Sequence, residues 1–294
     1  MDDKLDYYST RLLKADIAGI PIPYYSKPGL ADWDIITPSI TLLATHARPL
    51  PHDRVWCLNC GPGALAVAMA NMAPYGTCMV SDYDALAITS LQQTQTEYHI
   101  HNIHIITESP LLPPQIEPPD LVLLNIHKGR NLNRRSILQA WLCLRPGGRL
   151  LIAGANDQGI QSVIKDAAQW FQNFSLLAYK KGCRVAQFVR SAPQPGNPPD
   201  WAAQPGIAPG TWHEFQICLD ERVHNFVSLP GVFSSTELDL GSLLLISSLK
   251  DLSGKKVLDV GCGYGVLGYY AALSGATKVD LVDSHLLAVV STQE

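Results

Sequence analysis

The stretch from Lys255 to Asp283 constrains the fold most strongly, because apolar runs alternate there with a glycine-rich turn. The predicted elements are a strand at 257–260, a glycine turn at 261–265, a helix at 266–273 and a strand at 279–282. The second strand ends at the acidic residue Asp283. This order predicts the first half of a nucleotide-binding βαβ unit.

The glycine spacing bears on which nucleotide is bound. A dinucleotide site has the spacing G-x-G-x-x-G, which lets a pyrophosphate lie at the helix N-terminus. Counted from Gly261 the pattern fails, but counted from Gly263 it is met by Gly263, Gly265 and Gly268. The glycines alone therefore leave a nicotinamide cofactor open.

Two acidic residues favour a different ligand. Asp259, at the end of the first predicted strand, would repel a pyrophosphate but could hold an ammonium group. The carboxylate of Asp283 could accept hydrogen bonds from both hydroxyls of a ribose. The pattern suits a ligand without phosphate that lies along the turn and contacts its main chain. A turn that only packs strand on helix is the alternative, and the two acids disfavour it.

Composition excludes several classes of protein. A length of 294 residues suits about two domains, and 47% hydrophobic residues with a net charge of −4 indicate a globular chain without a strongly basic footprint. No apolar run reaches membrane-spanning length, and the acidic, amphipathic N-terminus does not resemble a signal peptide.

Seven dispersed cysteines predict reduced thiols and a cytoplasmic protein. Cys57 and Cys60 have the spacing of a metal or redox pair, but no second pair completes a zinc site, so we predict buried thiols and no metal.

Residues 54–190 alternate strand and helix patterns and predict a mostly parallel sheet with an antiparallel hairpin at its edge. Predicted strands are 54–58, 77–81, 103–107, 121–125, 149–153, 175–179 and 184–189, and predicted helices are 64–72, 85–98, 133–143 and 160–171. Helices at 5–17 and 38–46 are predicted before them. The Pro- and Gly-rich segment 191–212 is predicted to be a semi-extended linker. A hairpin at 213–219 and 222–228 follows, then a helix capped by Ser234 or Ser235, with Glu237 in a capping box, that runs to residue 249.

An internal repeat relates the two halves. Residues 55–63 align with 257–265, and Asp82 matches Asp283 to within one residue. The first copy has Cys57, Asn59 and Pro62 where the second has Asp259, Gly261 and Tyr264. The first half is therefore interpreted as a decayed copy that kept the fold. A cofactor site in it is disfavoured but stays open, because Asp82, Gly61 and Gly63 remain.

One family resembles the second half closely. The strings LPGVFS at 229–234 and LDLGSLLL at 238–245, followed by VLDVGCGYGVLG at 257–268, resemble the RsmC/RlmG-like ribosomal RNA guanine-N2 methyltransferases. The resemblance implies tandem Rossmann-like class I methyltransferase domains of α/β class. By it, residues 1–190 form a complete but degenerate N-terminal domain, 191–212 a linker, and 213–294 the start of an incomplete catalytic domain.

The resemblance also implies a function, namely N2-methylation of a guanine in ribosomal RNA with S-adenosylmethionine (SAM) as cofactor. The expected cofactor residues are Asp259, Gly261, Cys262, Gly263, Gly265 and Asp283. The family's catalytic turn, Asn-Pro-Pro-aromatic, is not found and would lie beyond Glu294, so no catalytic residue is named and a truncated chain is expected. The matching turn of the first half, at 125–128, lacks both prolines.

A short basic run predicts RNA contact, with an ordinary solvated face as the alternative. Its members are Lys128, Arg130, Arg134 and Arg135. Phe233 and Asp239 either wall the pocket for the cofactor or the target base, or form a hydrophobic staple and pair with the helix dipole; the sequence does not separate these roles.

Three other functions stay open at this point. They are methylation of a protein glutamine, a non-catalytic RNA-binding fragment, and a nicotinamide-dependent enzyme. The sequence does not identify the target nucleotide or the ribosomal subunit. It does not identify the oligomeric state either, for which a monomer is the working expectation.

Overall fold

The computed structural model describes residues 8–106, 111–171, 173–191, 197–249 and 251–294. Two compact units divide the chain. Unit 1 comprises the described parts of 1–108 and 113–202, and unit 2 those of 109–112 and 203–294. Within the described ranges, no helix has both the length and the apolar character that a membrane crossing requires.

Unit 1 has nine strands and five α-helices among its described residues. The strands are β1 (Arg11–Ile17), β2 (Ile20–Ser26), β3 (Arg54–Leu58), β4 (Thr77–Ser81), β5 (Ile103–Ile105), β6 (Leu121–Asn125), β7 (Arg149–Ala155), β8 (Asn173–Lys180) and β9 (Cys183–Val189). The helices are α1 (Pro38–Ala47), α2 (Ala64–Met72), α3 (Ala85–Glu97), α4 (Arg130–Cys143) and α5 (Ile160–Trp170). The predicted elements of 54–190 are confirmed in type; Thr107, the predicted end of one strand, lies outside the described residues.

Seven of these strands form one sheet in the order β5-β4-β3-β6-β7-β9-β8. The first five are parallel, and β9 runs antiparallel to both β7 and β8. This confirms the predicted α/β fold with an edge hairpin. The strand order reverses between β3 and β6, and in open α/β sheets a crevice for ligands forms at such a point, beyond the carboxyl ends of the strands.

The predicted helix at 5–17 is wrong where the structure describes it. Residues 11–17 form β1, which pairs antiparallel with β2, and residues 5–7 lie outside the described ranges. Ala18 (φ 55°) and Gly19 (φ 82°) make the left-handed two-residue turn that matches the twist of a hairpin. Alternate residues of β1 are more exposed, so a strand buries this apolar set better than a helix does.

Unit 2 begins with another hairpin and then repeats strand and helix. Its elements are β10 (His213–Leu219), β11 (Arg222–Ser228), α6 (Leu240–Ser248), β12 (Lys256–Val260), α7 (Val266–Leu273), β13 (Lys278–Val282) and α8 (Leu286–Gln293). β12 and β13 pair in parallel. The predicted hairpin is confirmed, but the predicted cap of α6 is wrong. Asp239, not Ser234 or Ser235, caps this helix, and Ser234 instead donates its hydroxyl to the carbonyl of Glu237.

The repeat extends well beyond the glycine turns. In both units a hairpin of seven-residue strands precedes a helix, a strand, a glycine turn, a helix, a parallel strand and a helix. The units differ in how the central strand is covered. β3 pairs with β4 and β6, and Leu58 is 3% exposed. Among the described residues β12 pairs only with β13, and its Val260 is 74% exposed.

The predicted linker is partly folded. A 3₁₀ turn, Asp200–Ala203, buries Trp201, whose indole nitrogen donates to Oε1 of Gln169 at 2.8 Å. The ring of Trp201 also lies 5.9 Å from that of Trp170. The residues up to Ala202 thus belong to unit 1, while 192–196 lie outside the described ranges.

Candidate functional site

A cavity of about 300 Å³ lies in unit 2 beside the glycine turn. Three segments line it: the stretch before α6, the turn with the start of α7, and the end of β13 with the start of α8. Its lining residues are Gly231, Val232, Phe233, Asp239, Ser242, Gly261, Cys262, Gly263, Tyr264, Val266, Leu267, Asp283, His285 and Ala288. Of the predicted cofactor residues, the structure brings Gly261, Cys262, Gly263 and Asp283 together around this cavity.

The glycines of the turn have two different functions. Gly261 (φ 77°) and Gly263 (φ 56°) adopt left-handed backbone conformations, and a Cβ atom on either would meet nothing within 4 Å. Their main chain is therefore open to a ligand. Gly265 is not among the lining residues. A Cβ atom at this position would lie only 2.9 Å from Cγ2 of Thr292. Gly265 allows close packing of the turn against α8.

Asp283 closes the turn from β13. Its Oδ2 accepts a hydrogen bond from the Gly263 amide at 2.9 Å, and its Oδ1 accepts one from the His285 amide at 2.8 Å. A carboxylate has about four acceptor positions, so each oxygen keeps capacity for a further donor. The side chain is thereby fixed at the cavity wall with acceptors available.

Asp259 lies beneath the turn and does not line the cavity. Its Oδ2 accepts the amide of Gly268, in the first turn of α7, at 3.1 Å. The N-terminal residue of this helix, Gly265, provides no side-chain cap, so Asp259 satisfies one of the free amides from a neighbouring strand. The residue is 8% exposed, and burial raises the pKa of its carboxyl.

Asp239 combines the two roles that the sequence left open. Its Oδ1 accepts the amides of Gly241 and Ser242 at 2.9 and 3.0 Å, which caps α6. Hydrogen bonding by the Ser242 side chain is the largest effect that lowers the pKa of this carboxyl. Asp239 also lines the cavity, as does Phe233, which is 74% exposed.

Cys262 is a structural thiol. It is 7% exposed, and burial, followed by the charges of Asp283 and Asp259, raises its pKa to about 11. A thiol with such a pKa stays protonated at neutral pH and is a poor nucleophile. What Cys262 offers to a ligand is its main chain and a small apolar surface.

The first copy repeats this geometry. The Gly61 amide donates to Oδ2 of Asp82 at 2.9 Å, and the Asp84 amide donates to Oδ1 at 2.9 Å. Burial raises the pKa of Asp82 to about 6. Here, however, a side chain replaces the open glycine: Nδ2 of Asn59 donates to the carbonyl of Asn125 at 2.8 Å. The turn is thereby tied to the end of β6.

The amide side chain of Asn125 also has a structural partner. The Ser39 hydroxyl lies 3.1 Å from Oδ1 of Asn125 and donates to it. By the resemblance, an Asn in the catalytic turn presents this oxygen to the substrate amine, whereas here one of its two lone pairs already accepts the Ser39 hydroxyl. The contacts therefore agree with a degenerate first copy, which stays an interpretation.

The four residues of the predicted basic patch are not all accessible to a ligand. Arg135 is 1% exposed, so in this fold it cannot contact RNA, and that part of the prediction is corrected. Arg130 and Arg134 both bind the buried carboxylate of Asp166, with shortest distances of 2.7 and 2.9 Å. Lys128 is exposed, and the Arg130 side chain is 53% exposed. These two remain candidates for phosphate contact.

The Cys57 and Cys60 thiols are buried, as predicted. Cys57 Sγ lies 4.0 Å from Cys78 Sγ, and hydrogen bonding to Cys78 and burial hold the pKa of Cys57 well above its usual range. Across the described ranges, no group of three or more His, Cys, Asp or Glu residues is arranged to hold a metal ion.

Among the lining residues that sequence reasoning did not name as candidates, three have polar side chains, namely Ser242, Tyr264 and His285. His285 follows Asp283 by two residues and is the N-cap residue directly before α8, so its place after the strand end was a usable signal. Ser242 follows the Asp239 cap by three residues, which a correct helix start would have revealed. Tyr264 carried no signal beyond its place between two glycines.

A doubly wound sheet with an antiparallel edge hairpin, and a glycine turn closed by an acid, define the class I methyltransferase fold. The family model for the methyltransferase small domain matches residues 22–187 and 223–294, which is more than half of the chain. The chain therefore belongs to the methyltransferase small domain family.

Individual relatives agree with this membership. The chain is 34% identical over 183 residues to ribosomal RNA small subunit methyltransferase C of Shewanella sediminis. This match covers 60% of this chain and 49% of that protein. It is 32% identical over 149 residues to the Vibrio parahaemolyticus protein of the same name, covering 49% and 39%. The chain thus matches half or less of the length of these curated relatives.

A solved structure is also similar. It is that of the Thermus thermophilus 16S rRNA N2 G1207 methyltransferase (RsmC), a complex with AdoMet and guanosine. The TM-score is 0.78 at 25% identity, and the match covers 96% of this chain and 71% of that one.

Proposed function

We propose that this chain is part of a SAM-dependent methyltransferase that modifies small-subunit ribosomal RNA at N2 of a guanine. The names of the curated relatives and the ligands of the Thermus thermophilus structure support the reaction and the substrate. One observation in this chain carries the cofactor proposal: an open glycine turn bonded to an acid at 2.9 Å on the wall of a cavity. An RNA target agrees with the cytoplasmic location expected from the sequence.

The lining residues fit such a cofactor. A ribose needs hydrogen-bond acceptors, and Asp283 has lone pairs left after binding two amides. The main chain of 261–263 can approach a flat or extended ligand closely, because no Cβ stands at Gly261 or Gly263. Among the described residues, the cavity is lined by two acids, Asp239 and Asp283, and by no Lys or Arg, which disfavours a ligand with a pyrophosphate. When bound, SAM would supply an electrophilic methyl group.

The position of Asp259 in the structure supports a different role from the ammonium contact that the sequence suggested. Because its carboxylate holds the Gly268 amide and lies outside the lining, we propose that it fixes the turn and contributes negative charge beneath it. Gly265 is proposed to support the cofactor indirectly, by letting the turn pack on α8. Cys262 is proposed to contact the cofactor through its main chain.

The two halves of the chain are proposed to differ in function. Residues 1–190 would be a degenerate copy without a cofactor, 191–212 a connection, and 213–294 would contain the cofactor-binding turn. Blocking of the first turn by Asn59 supports this division, as does the structural use of Asn125. RNA contact in the first half is proposed for Lys128 and Arg130 only.

Isothermal titration calorimetry with SAM and with NAD⁺ tests this proposal. We expect heat of binding with SAM and none with NAD⁺, and the affinity for SAM should fall by about tenfold or more in Asp283→Asn. Binding of NAD⁺ in preference to SAM would overturn the cofactor assignment. Methyl transfer from labelled SAM to 16S RNA, followed by nucleoside analysis, tests the guanine assignment, because a product other than N2-methylguanosine contradicts it.

A further inference from the structure

Tyr264 lies inside the glycine turn, yet its side chain points into unit 2 instead of toward solvent. It is 6% exposed. Its ring meets two rings of the β10–β11 hairpin edge-on, Phe215 at 5.1 Å and Phe226 at 5.8 Å between centroids. Such T-shaped contacts are favourable for aromatic pairs. The turn is therefore anchored on the hairpin by the one large side chain between its glycines.

The hydroxyl group of Tyr264 makes a second connection. It donates to the carbonyl of Glu237 at 3.1 Å. Burial, followed by the charge of Asp239, raises the pKa of this hydroxyl to about 12, so it remains a donor throughout the physiological range. Glu237 belongs to the segment 229–239, which supplies Gly231, Val232, Phe233 and Asp239 to the cavity wall.

Tyr264 thus joins two segments that line the cavity. One is the glycine turn, and the other is the irregular segment before α6. Residues 233–239 form no regular helix or strand, so side-chain contacts have a large share in fixing their path. Pro62 stands at the matching position of the first copy, and a proline side chain can make no such hydrogen bond.

We propose that Tyr264 is a positioning residue for the cofactor site, and that its hydroxyl holds segment 229–239 over the glycine turn. This inference rests on the proposed function, because it assumes that the cavity receives SAM. It assigns to Tyr264 no contact with reacting atoms. The ring keeps the turn on the hairpin, and the hydroxyl sets the distance between the turn and the wall that carries Phe233 and Asp239.

The test compares Tyr264→Phe with Tyr269→Phe in the full chain. Tyr269 is a matched control, since its ring lies 5.2 Å from Phe226 and its hydroxyl lies 2.9 Å from Nδ1 of His224, but it does not line the cavity. Loss of one hydrogen bond should weaken SAM binding by roughly threefold to tenfold in Tyr264→Phe. Tyr269→Phe should bind SAM like the wild type.

Hydrogen exchange gives a readout that does not depend on the cofactor. Amides of 231–242 should exchange several times faster in Tyr264→Phe than in the wild type or in Tyr269→Phe, with the exchange of β12 unchanged. Equal exchange in all three proteins would overturn the inference. If the wild-type chain bound no SAM, the proposed function would fail, while the exchange comparison would still decide the role of Tyr264.

Discussion

The amide of Gly263 donates to Oδ2 of Asp283 at 2.9 Å, which joins the glycine turn to the end of the neighbouring parallel strand. The same bond joins Gly61 to Asp82 in the first half of the chain. The bond is thus a property of the repeated fold and not by itself a mark of cofactor binding. What distinguishes the second copy is the open main chain at Gly261, where the first copy has Asn59.

The two turns allow a matched substitution. Gly263 and Gly61 have similar φ angles, 56° and 54°, and open space at the Cβ position. Alanine at either should cost about 1 kcal/mol of folding free energy because of the left-handed backbone. Only Gly263→Ala should weaken SAM binding, by about tenfold or more, since only there would the methyl group enter the cofactor site. Thermal unfolding and calorimetry together check both effects, and equal loss of affinity in the two variants would contradict the assignment to unit 2.

Asp259 and Asp283 should respond differently to neutralisation. Asn at 259 can still accept the Gly268 amide through its side-chain oxygen, so Asp259→Asn should change SAM affinity by less than about threefold. Asp283→Asn removes one of two acceptor oxygens and should lower the affinity by at least about tenfold. Dissociation constants from calorimetry test this order. A larger loss of affinity in Asp259→Asn than in Asp283→Asn would instead support the hypothesis, made from the sequence, that Asp259 contacts the ammonium group directly.

Asp82 should make the stability of unit 1 depend on pH. Its folded-state pKa of about 6 lies above the ordinary value of 3.8, so the folded state binds the proton more tightly than the unfolded chain does. This stabilisation is complete below pH 3.8 and is lost as the pH rises through about 6. Because the side chain keeps some solvent contact, we expect a loss of about 2 kcal/mol rather than the full shift.

Urea unfolding of the wild type and of Asp82→Asn measures this effect. Tryptophan fluorescence is a suitable probe, since Trp56, Trp141 and Trp170 are buried in unit 1. The unfolding free energy of the variant, relative to the wild type, should rise between pH 4 and pH 7. A difference that stays constant over this range would show that Asp82 titrates normally.

The strands and helices of 54–190 were predictable because buried parallel strands are apolar runs between clear helical periods. The hairpin at 11–26 was not, since Leu12 and Leu13 fit a helix as well as a strand. Its second strand also contains Pro21 and Pro23, which read as a connection. Prolines are tolerated there because β1 and β2 form a separate two-stranded sheet.

The glycine turn and the acid that closes it were predictable, but the directions of the neighbouring side chains were not. The spacing placed Gly261, Gly263 and Asp283 around one turn, because parallel strands end at the same edge of a sheet. Nothing in the spacing indicated that Asp259 faces α7. The basic run was only partly predictable for a similar reason: its spacing did not show that Arg135 is buried, or that Arg134 pairs with Asp166, 32 residues further along the chain. Such long-range pairing decides which charges remain accessible.

Lys128 should contribute to RNA binding through charge alone. In Lys128→Gln the slope of log affinity against log salt concentration should fall by about one, because one phosphate contact is lost. Lys14→Gln removes the same charge from the exposed face of β1 and serves as the control. Filter binding of 16S RNA fragments between low and moderate salt measures both slopes. An unchanged slope in Lys128→Gln would remove this residue from the RNA surface.

The central claim is that SAM binds at the glycine turn of unit 2 and not at its copy in unit 1. Nitrogen–proton NMR spectra of the labelled chain, titrated with SAM, test it directly, even if binding is weak. The amide signals of Gly261, Gly263 and His285 should shift together, while those of Gly61 and Asp84 stay in place. Shifts at Gly61 and Asp84 instead, or none at any of the five, would contradict the account.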